Sequence, residues 1–398
     1  MCVVLAGCAP APGPDPALPP VPTSSVTSAP PQPTSAPPQP TSVPPQPTSA
    51  SPSCAEWTLA GLDRTHRAAQ LLMAGVPADH PTAGTAVVTG AAVGGVFLMG
   101  RSARPVAEVG ADVGALQAAA AVAGTLPLQV SADQEGGQVQ TLSGPGVPAI
   151  PSGRQQGRLD LATLGAQTTA WSTALRTAGV TLNLAPVADV VPAGTEAANP
   201  PIGAAERQYG SSPDAVSAAV RTVVTASQAV GVGTTLKHFP GLGRVTENTD
   251  TSASAVDPAT TAADPVLGPF GAGIAAGAAA VMVSSAVYPA LDPTTPALFS
   301  HVVVTDLLRG QLGFGGLVVS DDVGNAMAVR AVAPGDRAVR FVAAGGDVVL
   351  TVRSSDVAPM TAALVAAAAI DKGFAAQLDV SATRVLQAKV DAGLVHCG

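Results

Sequence analysis

The 398-residue sequence is poor in charge: Asp, Glu, Lys and Arg make up only 12% of it. Lysine occurs just three times, as Lys237, Lys372 and Lys389, and the net charge is −8. With no basic stretch there is nothing to neutralise phosphates, so nucleic acid is excluded as a partner. No run of eighteen apolar residues occurs, which argues against a transmembrane helix. The five histidines are scattered and the four cysteines, Cys2, Cys8, Cys54 and Cys397, form no C-x-x-C pair. A metal centre is therefore not expected. No G-x-G-x-x-G follows any strand-like run, which removes the best argument for a nucleotide cofactor; no cofactor is expected at all.

What is present falls into two zones. Residues 1–53 are nearly all Pro, Ser, Thr, Ala, Gln and Val, with Asp15 the only charge. Leu5-Ala6-Gly7-Cys8 reads as a bacterial lipobox, in which small residues precede a cysteine that takes lipid. Residues 1–8 are read as a shortened lipoprotein signal, since only Met1–Leu5 precede the box. The expected placement is outside the cytoplasm, secreted or held to the membrane through Cys8. Residues 9–53 read as a disordered linker. They repeat P-P-Q-P-T-S-x at 30–36, 37–43 and 44–50, a composition that favours polyproline II over a packed core. Fully extended, at about 3.1 Å per residue, the repeats would span ~65 Å. Cys54 and Cys397 bracket the globular zone, 54–398, and are candidates for a disulfide in an oxidising compartment, with free thiols as the alternative. The zone is expected to act as a monomer.

Short apolar runs alternate with Ala-rich helical stretches throughout this zone. Strands are predicted at Val93–Met99, Leu126–Ala132, Val180–Ala185, Gly233–His238, Ala280–Ser285, Gly316–Ser320 and Gly346–Thr351, with Thr85–Val88 as an eighth. Their near-continuous apolarity suits parallel strands covered on both faces. Helices are predicted at Val106–Val122, Leu161–Ala178, Pro213–Val230 and Pro334–Ala344. Repeated βα units give an α/β fold, a single (β/α)8 barrel of the TIM type, with an open doubly wound sheet as the alternative. Polar residues cluster just after the strands: Asp133-Gln134-Glu135, Asp189, Lys237-His238, Ser284-Ser285 and Ser320-Asp321-Asp322. In a barrel these positions converge on the C-terminal face, where catalysis sits.

Five motifs in order carry a resemblance: D-Q-E-G-G at 133–137, N-L-A-P-V-A-D at 183–189, Arg207 in E-R-Q-Y-G, K-H-F-P-G at 237–241 and V-V-S-D-D at 318–322. Together they resemble the bacterial β-N-acetylglucosaminidases of glycoside hydrolase family 3, from Gln70 to about Leu386. The resemblance implies exo-acting hydrolysis of β-linked N-acetylglucosamine from cell-wall glycans, with retention, through a glycosyl ester. The first aspartate of S-D-D, here Asp321, would be the nucleophile; otherwise it caps the next helix. Asp133, Arg207, Lys237 and His238 match residues that hold the sugar, though an internal network such as Asp133 with Lys237 would also account for them. Glu135, Asn183, Asp189 and Asp322 are expected behind them, Asp322 as an acceptor for loop amides.

One departure stands out. Where such enzymes carry D-S-H after K-H-F-P-G, this sequence reads Asn248-Thr249-Asp250, and no histidine lies between His238 and His301. Asp250 takes the histidine's place as candidate acid/base, with Glu247 as the fallback, since carboxylates ordinarily serve glycosidases in this role. Rival readings are a glycan-binding lipoprotein that has lost its acid, a β-glucosidase, a phosphorolytic enzyme, and an aldolase-type barrel using Lys237.

Overall fold

The computed structural model describes residues 52–397; the lipobox with Cys8, and the linker except its last two residues, lie outside the described residues. Eight parallel strands form the barrel: β1 Leu72–Pro77, β2 Gly95–Met99, β3 Gln129–Ala132, β4 Leu182–Asn183, β5 Gly233–Phe239, β6 Ala280–Val283, β7 Leu317–Ser320 and β8 Val349–Thr351. The ladder runs β8-β1-β2-β3-β4-β5-β6-β7. A bridge between Val319 and Val348 ties β7 to the start of β8 and all but closes the ring.

The period-two alternation of strands sorts the side chains. Met73, Phe97, Leu182, Met282, Leu317, Val319 and Leu350 fill the barrel interior, while Leu72, Val96, Leu98, Val130, Val281 and Val318 face the helices. Helix Pro213–Gln228 shows how the outer layer forms. Ser212 caps its first turn by accepting from Ala215 N–H, Pro213 sits at the first helical position, and Val216, Ala219, Val220, Val223 and Val224 bury one face.

Thr85–Val88 is not the eighth strand; it opens helix Thr85–Ala91. The true eighth strand is β1, which pairs in parallel with β2. Parallel neighbours need a crossover between them, so residues 78–94 must turn back as helix. The other helices fall where their apolar spacing placed them, including Val106–Val122, Leu161–Thr177 and Pro334–Ala343. Among the described residues no helix is long and apolar enough to cross a membrane.

Cys54 and Cys397 are joined, with Cα atoms 5.7 Å apart. The bond pins helix Cys54–Ala60, whose Ser53 and Glu56 form a capping box, against the last helix, Lys372–Asp391. Cys397→Ser is expected to cost about 2–5 kcal/mol of stability and to lower the melting temperature by several degrees. Thermal denaturation with and without reductant checks this: an unchanged midpoint in both would show that the staple holds nothing.

Candidate active site

At the C-terminal face of the barrel lies a cavity of about 390 Å³ whose charged lining is Asp133, Arg207, Lys237, His238, Asp250, Asp321 and Asp322. Phe97, Leu184, Met282 and Leu350 make its apolar floor. A second cavity, about 470 Å³, opens at the opposite end around Gln129, Gly233, Gly316 and Arg384. The larger volume has the weaker claim. Half of its lining is glycine and alanine, and Arg384 there is committed to buried Asp347.

The deep end is a network of charges. Lys237, only 2% exposed, places Nζ 2.5 Å from Asp133 Oδ1 and 2.6 Å from Glu135 Oε1. Arg207 grips the same Glu135 with both arms of its fork, Nε to Oε2 at 2.9 Å and Nη2 to Oε1 at 2.7 Å. Burial by itself would raise the Glu135 carboxyl, but the two cations reverse that and hold it at about 2. The same carboxylates overcome burial at Lys237 and keep its pKa raised. Every charge here is paired, as buried charges must be. Asp133 lines the cavity, and among the described residues its second carboxylate oxygen accepts no hydrogen bond, which leaves it available to a sugar hydroxyl.

His238 is braced on both ring nitrogens, by Asp189 Oδ2 at 2.8 Å from Nδ1 and by Arg207 Nη2 at 3.2 Å from Nε2. A guanidinium only donates, so Nε2 must accept and Nδ1 carries the proton toward Asp189. Asp189, fully buried, also accepts the backbone N–H groups of His238 and Leu242, which fastens the K-H-F-P-G turn. Tyr288 donates from the other side to Gly241 O at 2.8 Å. Asn183 accepts from Gln134 N–H and donates to Gln134 O, at 3.1 and 3.2 Å, fixing the segment between Asp133 and Glu135.

Asp321 follows β7 and is set by its own backbone, with N–H donating to Val283 O on β6 at 3.0 Å. Its Oδ1 accepts from Asp322 N–H at 2.9 Å. Burial pushes its carboxyl up to about 6, and the nearby Asp250 charge adds to this. Asp322 is turned away from that role, with Oδ1 accepting from Gly324 and Val352 N–H and Oδ2 from Asn325 N–H.

Asp250 lines the mouth, on a loop held to the segment after Asp321 by Met327 N–H to Asp250 O at 3.3 Å and Ala328 N–H to Thr249 O at 3.1 Å. Glu247 is outside the cavity. It is exposed, and hydrogen bonds from the Ser252 and Ser254 hydroxyls hold its carboxyl below the usual range. A group kept ionised in this way is a poor proton donor. Sequence reasoning also missed Asn325, at the mouth between Asp321 and the Asp250 loop. In S-D-D-V-G-N it reads as a turn residue, and only the fold shows what it faces.

The barrel fold is shared with known proteins. The profile of the glycosyl hydrolase family 3 N-terminal domain matches residues 65–388. A β-N-acetylhexosaminidase structure from Beutenbergia cavernae DSM 12333 is 49% identical, with a TM-score of 0.80 over 83% of this chain and 99% of its own. A family 3 β-N-acetylglucosaminidase from Paenibacillus sp. FPU-7 is 30% identical, with a TM-score of 0.75 over 85% of this chain and 64% of its own. A β-hexosaminidase of Xanthomonas campestris pv. campestris strain B100 is 38% identical over 267 residues, 65% of this chain and 77% of that protein. On barrel, motifs and profile together, the chain belongs to glycosyl hydrolase family 3 and is a glycosidase acting on O-glycosyl bonds.

Proposed function

We propose that the chain is an exo-acting β-N-acetylglucosaminidase that cleaves terminal β-linked N-acetylglucosamine with retention, through a glycosyl ester on Asp321. The observation that carries this reading is one cavity in which a desolvated carboxylate, Asp321, shares space with a second, Asp250, above a fixed polar cradle. The first carboxylate attacks the anomeric carbon; the second protonates the leaving oxygen and then deprotonates water. At about 390 Å³ the cavity is near the small end of ligand pockets, which suits one sugar ring with its linkage at the mouth. The names of the relatives support the N-acetylated sugar. Lipidation of Cys8 would place the enzyme at the membrane with cell-wall glycans as its source of substrate, and the Cys54–Cys397 bond fits an oxidising compartment.

A panel of aryl glycosides tests the reading. The N-acetyl-β-glucosaminide is expected to exceed the β-glucoside by tenfold or more in kcat/KM. The reverse order makes the chain a β-glucosidase. Cleavage of neither, with retained glycan binding, selects the glycan-binding reading, which the missing loop histidine favours.

Acid should inactivate the enzyme through Asp321. A nucleophile must be ionised, and burial puts its proton release at about 6 instead of the usual carboxylate range. kcat/KM is therefore expected to fall about tenfold per pH unit below about 6. A profile that stays flat to pH 4 contradicts the assignment.

A further inference from the structure

Glu206, the residue before Arg207, has a φ of 56°, which puts it in the left-handed region. A Cβ makes that conformation costly, and glutamate is not among the residues that tolerate it well. Glycine would adopt it freely, so what position 206 contributes is a carboxylate. Both of its oxygens are used: Arg154 Nη2 donates to Oε1, and Ser152 Oγ donates to Oε2 at 2.9 Å. The backbone adds two bonds, Arg154 N–H to Glu206 O and Glu206 N–H to Gly203 O, each at 3.0 Å. Strain that surrounding contacts hold in place is the mark of a geometry put to use.

The use lies one residue on. From this turn Arg207 enters the cavity and lays its fork on Glu135. The segment that straps Glu206, residues 150–157, also straps Glu135: Gln156 Nε2 donates to Glu135 O at 2.7 Å, and Gly137 N–H to Ile150 O at 3.0 Å. The fit is close. A Cβ on Gly153 would stand 2.1 Å from Arg207 O, and one on Gly157 would stand 1.7 Å from Tyr209 O. One segment therefore holds the loop after β3, with Glu135, and the turn that carries Arg207 in fixed relation. Its side-chain link to that turn runs through the Glu206 carboxylate. Glu206 itself does not line the cavity, so any effect it has on a sugar passes through Arg207.

We propose that Glu206 is a positioning residue for sugar binding: strapped to Arg154 and Ser152, it fixes the turn that delivers Arg207 to Glu135 and to the substrate. This rests on the hydrolase reading above. Glu206→Ala is expected to raise KM for the aryl N-acetyl-β-glucosaminide, and the calorimetric Kd for N-acetylglucosamine, about tenfold, the size of one charged hydrogen bond. kcat should change less than about threefold, because what is lost is hold on the ground state and transition state alike. Glu206→Gly removes the strain together with the carboxylate. It should resist heat better than Glu206→Ala and yet bind the sugar as weakly; wild-type affinity in Glu206→Gly overturns the role of the carboxylate. Arg154→Met breaks the same link from the other side and should reproduce the rise in KM. The double variant should be no worse than either single one, and losses that add overturn the link. A crystal structure of Glu206→Ala decides the matter without reference to activity: the Arg207 fork should be displaced from Glu135, and a fork still seated with both bonds overturns the positioning role. If the wild-type protein cleaves no aryl glycoside, the hydrolase reading is what has failed, and that crystal structure carries the test of Glu206.

Discussion

Asp321→Asn is expected to lower turnover of the aryl N-acetylglucosaminide by ~10³-fold or more while leaving the melting temperature close to that of wild type. The amide is nearly isosteric, and its oxygen can still accept the Asp322 N–H that Asp321 accepts at 2.9 Å. Burial already disfavours the charged carboxylate, holding it at about 6, so a neutral group there costs the fold little. The loss is chemical: the adjacent carboxylate, Asp322, is committed to three backbone amides and does not take over the attack. Activity above a few per cent of wild type, in protein shown free of deamidation back to aspartate, would remove Asp321 from the mechanism.

The second large effect belongs to Asp250→Ala. Cleavage of a sugar–sugar bond is expected to fall ~10²–10⁴-fold, the usual worth of general acid–base help. Substrates with acidic phenol leaving groups need little protonation, so their first step should survive and the glycosyl ester should accumulate. Azide needs no base to attack that ester, so adding it should restore turnover and yield a β-glycosyl azide. Glu247→Ala should show none of this, since Glu247 lies outside the cavity with its carboxylate held by Ser252 and Ser254. Wild-type rates for Asp250→Ala on a disaccharide would show that the loop does not supply the acid.

The barrel was legible because its strands are short apolar runs with polar residues at their ends, and that pattern survives without any tertiary information. β1 escaped notice for a local reason: Leu71–Val76 follows helix Arg64–Gln70 directly, with no glycine or proline between them, so the change of period is masked. Thr85–Val88 attracted a strand assignment through two adjacent valines, although the geometry of a parallel pair demanded helix there. In the site, Asp133, Lys237 and Asp321 stood out because each lies at or next to the C-terminal end of a strand. The centrality of Glu135 did not. Which carboxylate two cations share depends on side-chain reach across the barrel, and that places Glu135 between Arg207 and Lys237. Asn325 was silent for the same reason, being a loop residue that the fold alone brings to the cavity.

Retention through Asp321 requires a covalent sugar on that one carboxylate. Incubating the protein with a slow fluorinated N-acetylglucosaminyl donor, then digesting it and mapping peptides by mass, detects that bond directly. A single modified peptide spanning Val318–Asp322 is expected, with the sugar on Asp321 and none in Asp321→Asn. A label on Asp250, on Glu247 or on Asp322, or full turnover of the donor with no labelled peptide and inverted product, would contradict it.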